Sequence, residues 1–170
     1  MNAAAPGSAS DPSVRTLSDF LCFSIYSANL AFGRAYKPIL EELGLTYTQY
    51  ITIVALSEED NQTVGRLGEA LFLESNTLTP ILKKLEAQGY LSRTRDPTDE
   101  RQVLVSLTEA GRRLHERSQC RNLAEATGLT AEEFPKIRDA ISTLRNNLLK
   151  AARAEEQRSP IDAKAAQPAG

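Results

Sequence analysis

A chain of 170 residues has room for one domain with a sizeable core, and 41% hydrophobic with 25% charged residues is an ordinary globular composition. No apolar run approaches the roughly 18 residues that span a bilayer, and the Ala/Ser/Pro-rich start lacks the segments of a secretory signal. A cytoplasmic protein with no membrane partner is therefore expected. The net charge of −2 excludes a generally basic nucleic-acid binder, so any basic footprint must be local, offset by acidic patches such as Glu41-Glu42 and Glu58-Glu59-Asp60.

Residues 1–15 and 155–170 carry Ala, Pro and polar residues without periodic hydrophobics, and are expected to be disordered tails. Between them the first helix is marked by Leu17, Leu21, Ile25, Ala28 and Phe32 at three- and four-residue steps. It carries Asp19 in its first turn and runs toward Ala35; Pro38 kinks it or begins a new turn, and Gly44 stops it. Thr48 caps a second helix, Gln49 to about Leu56, followed by a polar loop over 57–62. Thr63 caps a short third helix to Leu71. A fourth opens at Glu74 or Ser75, continues through Leu78, Ile81, Leu82 and Leu85, and closes at Gly89.

The period then changes. Tyr90 to Arg95 alternates as a strand, Asp96-Pro97-Thr98-Asp99 is a turn, and Gln102 to Leu107 is a second strand. A fifth helix restarts at Thr108 and runs toward Leu123. After Gly128, the capping box Thr130-x-x-Glu133 opens a last helix with Phe134, Ile137, Ile141, Leu144 and Leu148 on one face.

The order predicts a mainly α protein with a small β-hairpin wing. A winged helix-turn-helix over about 48–108 lies in a single domain, 16–154. Helices over about 16–43 and 109–154 are left with unpartnered apolar faces, which a second copy of the chain would cover as a two-fold dimer. Two cysteines, Cys22 and Cys120, and one histidine, His115, lack the close paired spacing of a zinc site, so no metal or other cofactor is expected. His115 sits among Arg112, Arg113 and Arg117 and reads as part of a solvated charged face.

The segment from Asp99-Glu100-Arg101 to Thr108 resembles the wing signature of MarR-type regulators, and Glu74 to Glu86 resembles their recognition helix. Leu21-Cys22-Phe23, Tyr36-Lys37-Pro38 and Leu45-Thr46-Tyr47-Thr48-Gln49-Tyr50 are similar to the OhrR branch, the organic-hydroperoxide-sensing repressors. The resemblance covers roughly Leu17 to Leu149.

It implies a non-enzymatic repressor that binds a palindromic double-stranded operator as a homodimer. Ser75, Asn76, Thr77, Thr79 and Lys83 would meet the major groove, and Arg95 and Arg101 on the wing would approach the minor groove. Arg101 serves equally well as a salt-bridge partner of Asp99. Pro80 lies inside the recognition helix and is expected to distort it locally.

A free cysteine on an apolar helix is more often a small buried hydrophobe than a reactive group. Cys22 is singled out by Tyr36 and Tyr47, whose phenols can donate hydrogen bonds to a thiolate. Neither lies within a helical turn of it, so they reach it by folding back or from another subunit; the resemblance implies the latter. The thiolate would attack an organic hydroperoxide, the effector, to give a sulfenic acid. Cys120, between Gln119 and Arg121, would condense with it in an intersubunit disulfide. Two alternatives stand beside this reading: a regulator with a small-molecule ligand and incidental cysteines, and a thiol peroxidase.

Overall fold

The computed structural model describes residues 16–119 and 127–156. It divides into two compact units, 1–121 and 122–170. The first contains α1 (Leu21–Leu43), α2 (Tyr47–Glu58), β1 (Gln62–Thr63), α3 (Val64–Leu71), α4 (Ser75–Ala87), β2 (Leu91–Arg95), β3 (Val103–Leu107) and α5 (Glu109–Gln119); the second contains α6 (Glu133–Glu156). This is the mainly helical winged-helix architecture expected. Among the described residues no helix is long and apolar enough to cross a membrane.

The core of the first unit is sealed by one leucine-rich set. Leu56, Leu67, Leu78, Leu85 and Val105 are fully buried, with Ile53, Leu82 and Leu91 nearly so. They come from α2, α3, α4 and the sheet, so no single helix could bury its stripe alone. The sheet has the order β1-β3-β2, all antiparallel, with Leu91 opposite Leu107 and Arg95 opposite Val103. The short strand β1 was not foreseen: Gln62 ends the expected loop and Thr63 is the expected cap of the next helix, and the two become a strand only by pairing with Val105 and Leu104.

Several boundaries differ from the sequence expectation, each for a local reason. A 3-10 turn over Leu17–Asp19 precedes α1, with Asp19 bonded back to Thr16, so Asp19 is not in the first turn of α1. Of the two expectations for Pro38, it does not begin a new turn: α1 runs through it to Leu43, with Leu40 beyond it anchored in the core. The helix closes at Gly44 (φ 67°), where the Leu45 N–H reaches back to the Leu40 carbonyl at 2.9 Å. The cap of α2 is Thr46, not Thr48. Its hydroxyl accepts from the Gln49 N–H at 3.3 Å, and the Gln49 side chain accepts from the Thr46 N–H at 2.9 Å. Thr63 caps α3 and the Thr130/Glu133 box opens α6, as expected.

The fifth helix docks through Gly111. A Cβ there would lie 2.1 Å from the Tyr90 carbonyl oxygen, so only glycine allows this approach. Thr108 completes the joint: its N–H donates to the Tyr90 carbonyl at 3.1 Å and its hydroxyl to the Gly89 carbonyl at 2.6 Å.

Candidate functional site

The helix-turn-helix is α3, a turn through Phe72, and α4. Leu78, Leu82 and Leu85 turn one face of α4 into the core. The opposite face therefore presents Asn76, Thr77, Lys83 and Lys84 outward, all exposed, with Ser75 exposed at the helix start. Thr79 is half-buried and its hydroxyl is used inside the helix, donating to the Ser75 carbonyl at 2.6 Å. Pro80 sits on the exposed side and α4 runs through it unbroken from Ser75 to Ala87, its buried leucines holding both halves. Lys84 was missed by the sequence reading; its signal is its place beside Lys83 on the side away from the buried leucines.

On the wing the arginines divide. Arg93 is tied to Glu86 of α4 by a 2.5 Å ion pair, which fixes β2 against the helix. Arg95 is exposed and, among the described residues, reaches only the Glu100 carbonyl, at 3.3 Å. Asp99 accepts from the Arg101 backbone N–H at 3.1 Å and from the Gln102 amide at 3.0 Å. The salt-bridge alternative for Arg101 is thus not what forms: its guanidinium is exposed and has no ion pair among the described residues. At the base of the wing, Asp60 accepts the Leu107 N–H at 2.9 Å and pairs with Arg112 at 2.5 Å. Burial pushes its carboxyl up, but the hydrogen bonds from Leu107, Arg112 and Asn61 outweigh that and hold it below the ordinary value.

Cys22 is free and exposed. Because α1 begins at Leu21, its sulfur sits in the first turn, the end of a helix where negative charge is favoured. Tyr36 lies on the same continuous helix, fourteen residues on, which is just under four turns and about 21 Å along the axis. The two side chains therefore share a face but cannot meet within one chain.

Tyr36 and Tyr47 do meet each other, edge to face, with ring centroids 5.4 Å apart. Tyr50, one turn after Tyr47, adds a third ring 6.5 Å from Tyr36; the sequence reading missed it, although the three-residue spacing places both on one side of α2. Burial, and after it the neighbouring phenols of Tyr47 and Tyr50, raise the pKa of Tyr36 above that of a free phenol. Tyr36 and Tyr47 line an open groove of about 640 Å³ with Asn29, Leu30, Phe32, Gly33, Arg34 and Lys37. Cys120 lies outside the described residues. His115 is not on a solvated face: it is half-buried, with Nε2 3.1 Å from the Ser57 hydroxyl of α2.

Residues 34–117 match the family of the transcriptional regulator SarA/Rot. The HTH-type transcriptional regulator TtmR of Methylorubrum extorquens is 43% identical over 136 residues, 79% of this chain and 70% of that protein. The organic hydroperoxide resistance transcriptional regulator of Bacillus subtilis is 39% identical over 137 residues, 78% of this chain and 91% of that protein. Among solved structures, reduced AbfR bound to DNA has a TM-score of 0.69 at 35% identity, covering 80% of this chain and 94% of that one. AbfR, from Staphylococcus epidermidis, has also been solved with its disulfide formed, with a TM-score of 0.57 at 34% identity over 81% and 92% of the two chains. The chain belongs to this SarA/Rot family of transcriptional regulators, within the MarR-like winged-helix proteins.

Proposed function

We propose that the protein is a repressor that binds DNA as a reduced dimer and releases it when an organic hydroperoxide oxidises Cys22. The observation that carries this reading is the arrangement along α1. An exposed thiol in the first turn shares a face with Tyr36, itself paired with Tyr47 of α2, about 21 Å further along the axis, a distance only a second chain can bridge. The likeness to the Bacillus hydroperoxide-resistance regulator and to reduced, DNA-bound AbfR supports it.

In the dimer, each α4 enters a major groove with Ser75, Asn76, Thr77 and Lys83, and each wing approaches the minor groove with Arg95 and Arg101. Thr79 orders the helix start through Ser75. A palindromic operator follows from the two-fold axis. The helices over about 16–43 and 109–154 form the dimer interface, and the protein acts in the cytoplasm.

Sensing begins when the Cys22 thiolate, hydrogen-bonded by the partner's Tyr36 and Tyr47, attacks one peroxide oxygen. An S–O bond forms, the O–O bond breaks, and the departing alkoxide takes a proton to leave as an alcohol. Sulfur is oxidised by two electrons and the peroxide is reduced. The Cys120 thiolate then displaces hydroxide, which leaves as water, and a Cys22–Cys120 disulfide joins the subunits. Losing the Cys–Tyr hydrogen bonds respaces the recognition helices. About 3 kcal/mol of differential affinity, roughly a hundredfold, suffices for release.

The test is DNA binding of the reduced protein before and after cumene hydroperoxide, with non-reducing electrophoresis alongside. Reduced protein that does not bind DNA, or a Cys22→Ser variant still released by peroxide, sinks the reading. Release without a covalent dimer removes Cys120 from it. The groove beside Tyr36 favours a second reading, in which a small molecule seated there controls DNA binding. A Cys22→Ser variant released by such a ligand and insensitive to thiol oxidants would establish it.

A further inference from the structure

We infer that the exposed face of α1 pairs antiparallel with the same face of a second copy, and that Asn29 sits on the two-fold axis and sets the register. This rests on the proposed contact between Cys22 and the phenols of another chain, and adds the residue that fixes it. Cys22, Asn29 and Tyr36 recur at seven-residue spacing, which keeps all three on one face of the helix. If Cys22 faces Tyr36 of a second copy, two-fold symmetry places the midpoint of that interval on the axis, and the midpoint is Asn29.

The flanking residues fit the same centre. Ile25 and Gly33 lie four residues either side of Asn29, and Tyr26 and Phe32 lie three either side. The pairing sets a branched side chain against a glycine and one aromatic ring against another. Gly33 would otherwise have no reason to be small: a Cβ there meets nothing within 4 Å in its own chain. A glycine in mid-helix costs about 0.5–1 kcal/mol relative to alanine, and close approach by Ile25 of the second copy accounts for its presence. Asn29 itself is exposed and has no hydrogen bond among the described residues, while Leu21, Ile25, Tyr26, Leu30 and Phe32 around it leave 39–61% of their surface uncovered.

The area is sufficient. A half-exposed aromatic ring contributes roughly 100 Å². With the aliphatic residues, the face offers on the order of 500 Å² per protomer, which reaches the approximately 1,000 Å² total that a specific interface needs. An amide at the centre of such a face fixes register, because any other alignment buries it against hydrocarbon without a partner. On the axis, the Asn29 amides of the two copies satisfy each other.

The experiment is site-directed cross-linking in a Cys22→Ser, Cys120→Ser background, read by non-reducing electrophoresis after mild oxidation. Only a residue on the axis lies next to itself. Asn29→Cys is expected to give a covalent dimer in near-complete yield, and Tyr36→Cys to give none. Cys22 restored beside Tyr36→Cys, with Cys120 still replaced, is expected to cross-link. Self-cross-linking of Tyr36→Cys in place of Asn29→Cys would overturn the register. A second readout uses Asn29→Leu with both native cysteines. The dimer is expected to persist by sedimentation, while the rate of Cys22 oxidation by cumene hydroperoxide falls at least tenfold; an unchanged rate in a stable dimer would overturn the role of Asn29. Failure of the cross-link with peroxide-driven DNA release intact refutes the register and leaves the sensing reading standing.

Discussion

The winged-helix body and the first four turns of α1 are built from similar apolar residues but end up in opposite states. In the body, leucines from four elements close on one another and leave almost no surface. From Leu21 to Tyr36, no residue of α1 is buried, and Ile25, Tyr26 and Phe32 stand open. A stripe of apolar residues is thus a demand for a partner, and the chain meets it internally only where its own elements fold back. On the proposed reading, the same contrast separates the frame that aims α4 and the wing from the face that reports a chemical change.

Substitutions can break this comparison, because body and face should fail in different assays. The largest effect is expected from Leu78→Ala, which empties a fully buried site and should cost about 2–5 kcal/mol of unfolding free energy. Urea denaturation of a dilute, dissociated sample would measure it. Gly111→Ala drives a methyl into the Tyr90 carbonyl and should cost about 1–3 kcal/mol in the same assay. A loss below about 0.5 kcal/mol would mean that α5 docks differently.

On the face, Phe32→Ala should raise the dimer dissociation constant tenfold or more, about 1.4 kcal/mol. It should leave unfolding of the body within about 0.5 kcal/mol of the parent. Sedimentation equilibrium separates the two, and an unchanged dissociation constant would remove this face from the interface.

Asp60→Asn sharpens the view of the wing base, and should cost about 1 kcal/mol at neutral pH. The pKa of Asp60 is lower in the folded protein than its ordinary 3.8, so its contribution is fully present above that value and is lost as pH falls through the folded one. Acid unfolding of the variant below about pH 4 should therefore depend less steeply on pH than that of the parent. The smallest effect is a gain. Phe72 occupies a left-handed backbone (φ 56°) with 54% of its surface exposed, so Phe72→Gly should stabilise the body by up to about 1 kcal/mol, read as a shift in thermal midpoint.

Much of the candidate site was legible one residue at a time. Cys22, Tyr36 and Tyr47 stand out by chemistry, and Lys83 by its position on an amphipathic helix. Their division of labour was not legible. Arg93 and Arg95 alternate on one strand, and only the presence of Glu86 beneath β2 makes Arg93 a structural tie and leaves Arg95 exposed. His115 looked solvated among arginines, yet the packing of α5 on α2 brings it to Ser57. The third ring, Tyr50, joins Tyr36 because α1 and α2 fold together at that point.

The sequence by itself determined the order of elements, the hairpin, the caps at Thr63 and Thr130, and the helix stops at Gly44 and Gly89. These depend on side-chain period and on hydrogen bonds within about four residues, so they are written locally. Only the tertiary structure decided that Thr46 rather than Thr48 caps α2, that Gln62 and Thr63 form a strand, and that α1 restarts after its 3-10 turn so that Cys22 falls in its first turn. The cap of α2 follows from burial of Gln49 and Thr52, and the strand from a partner more than forty residues away. Such choices lie between locally equivalent options, and packing between distant segments selects among them.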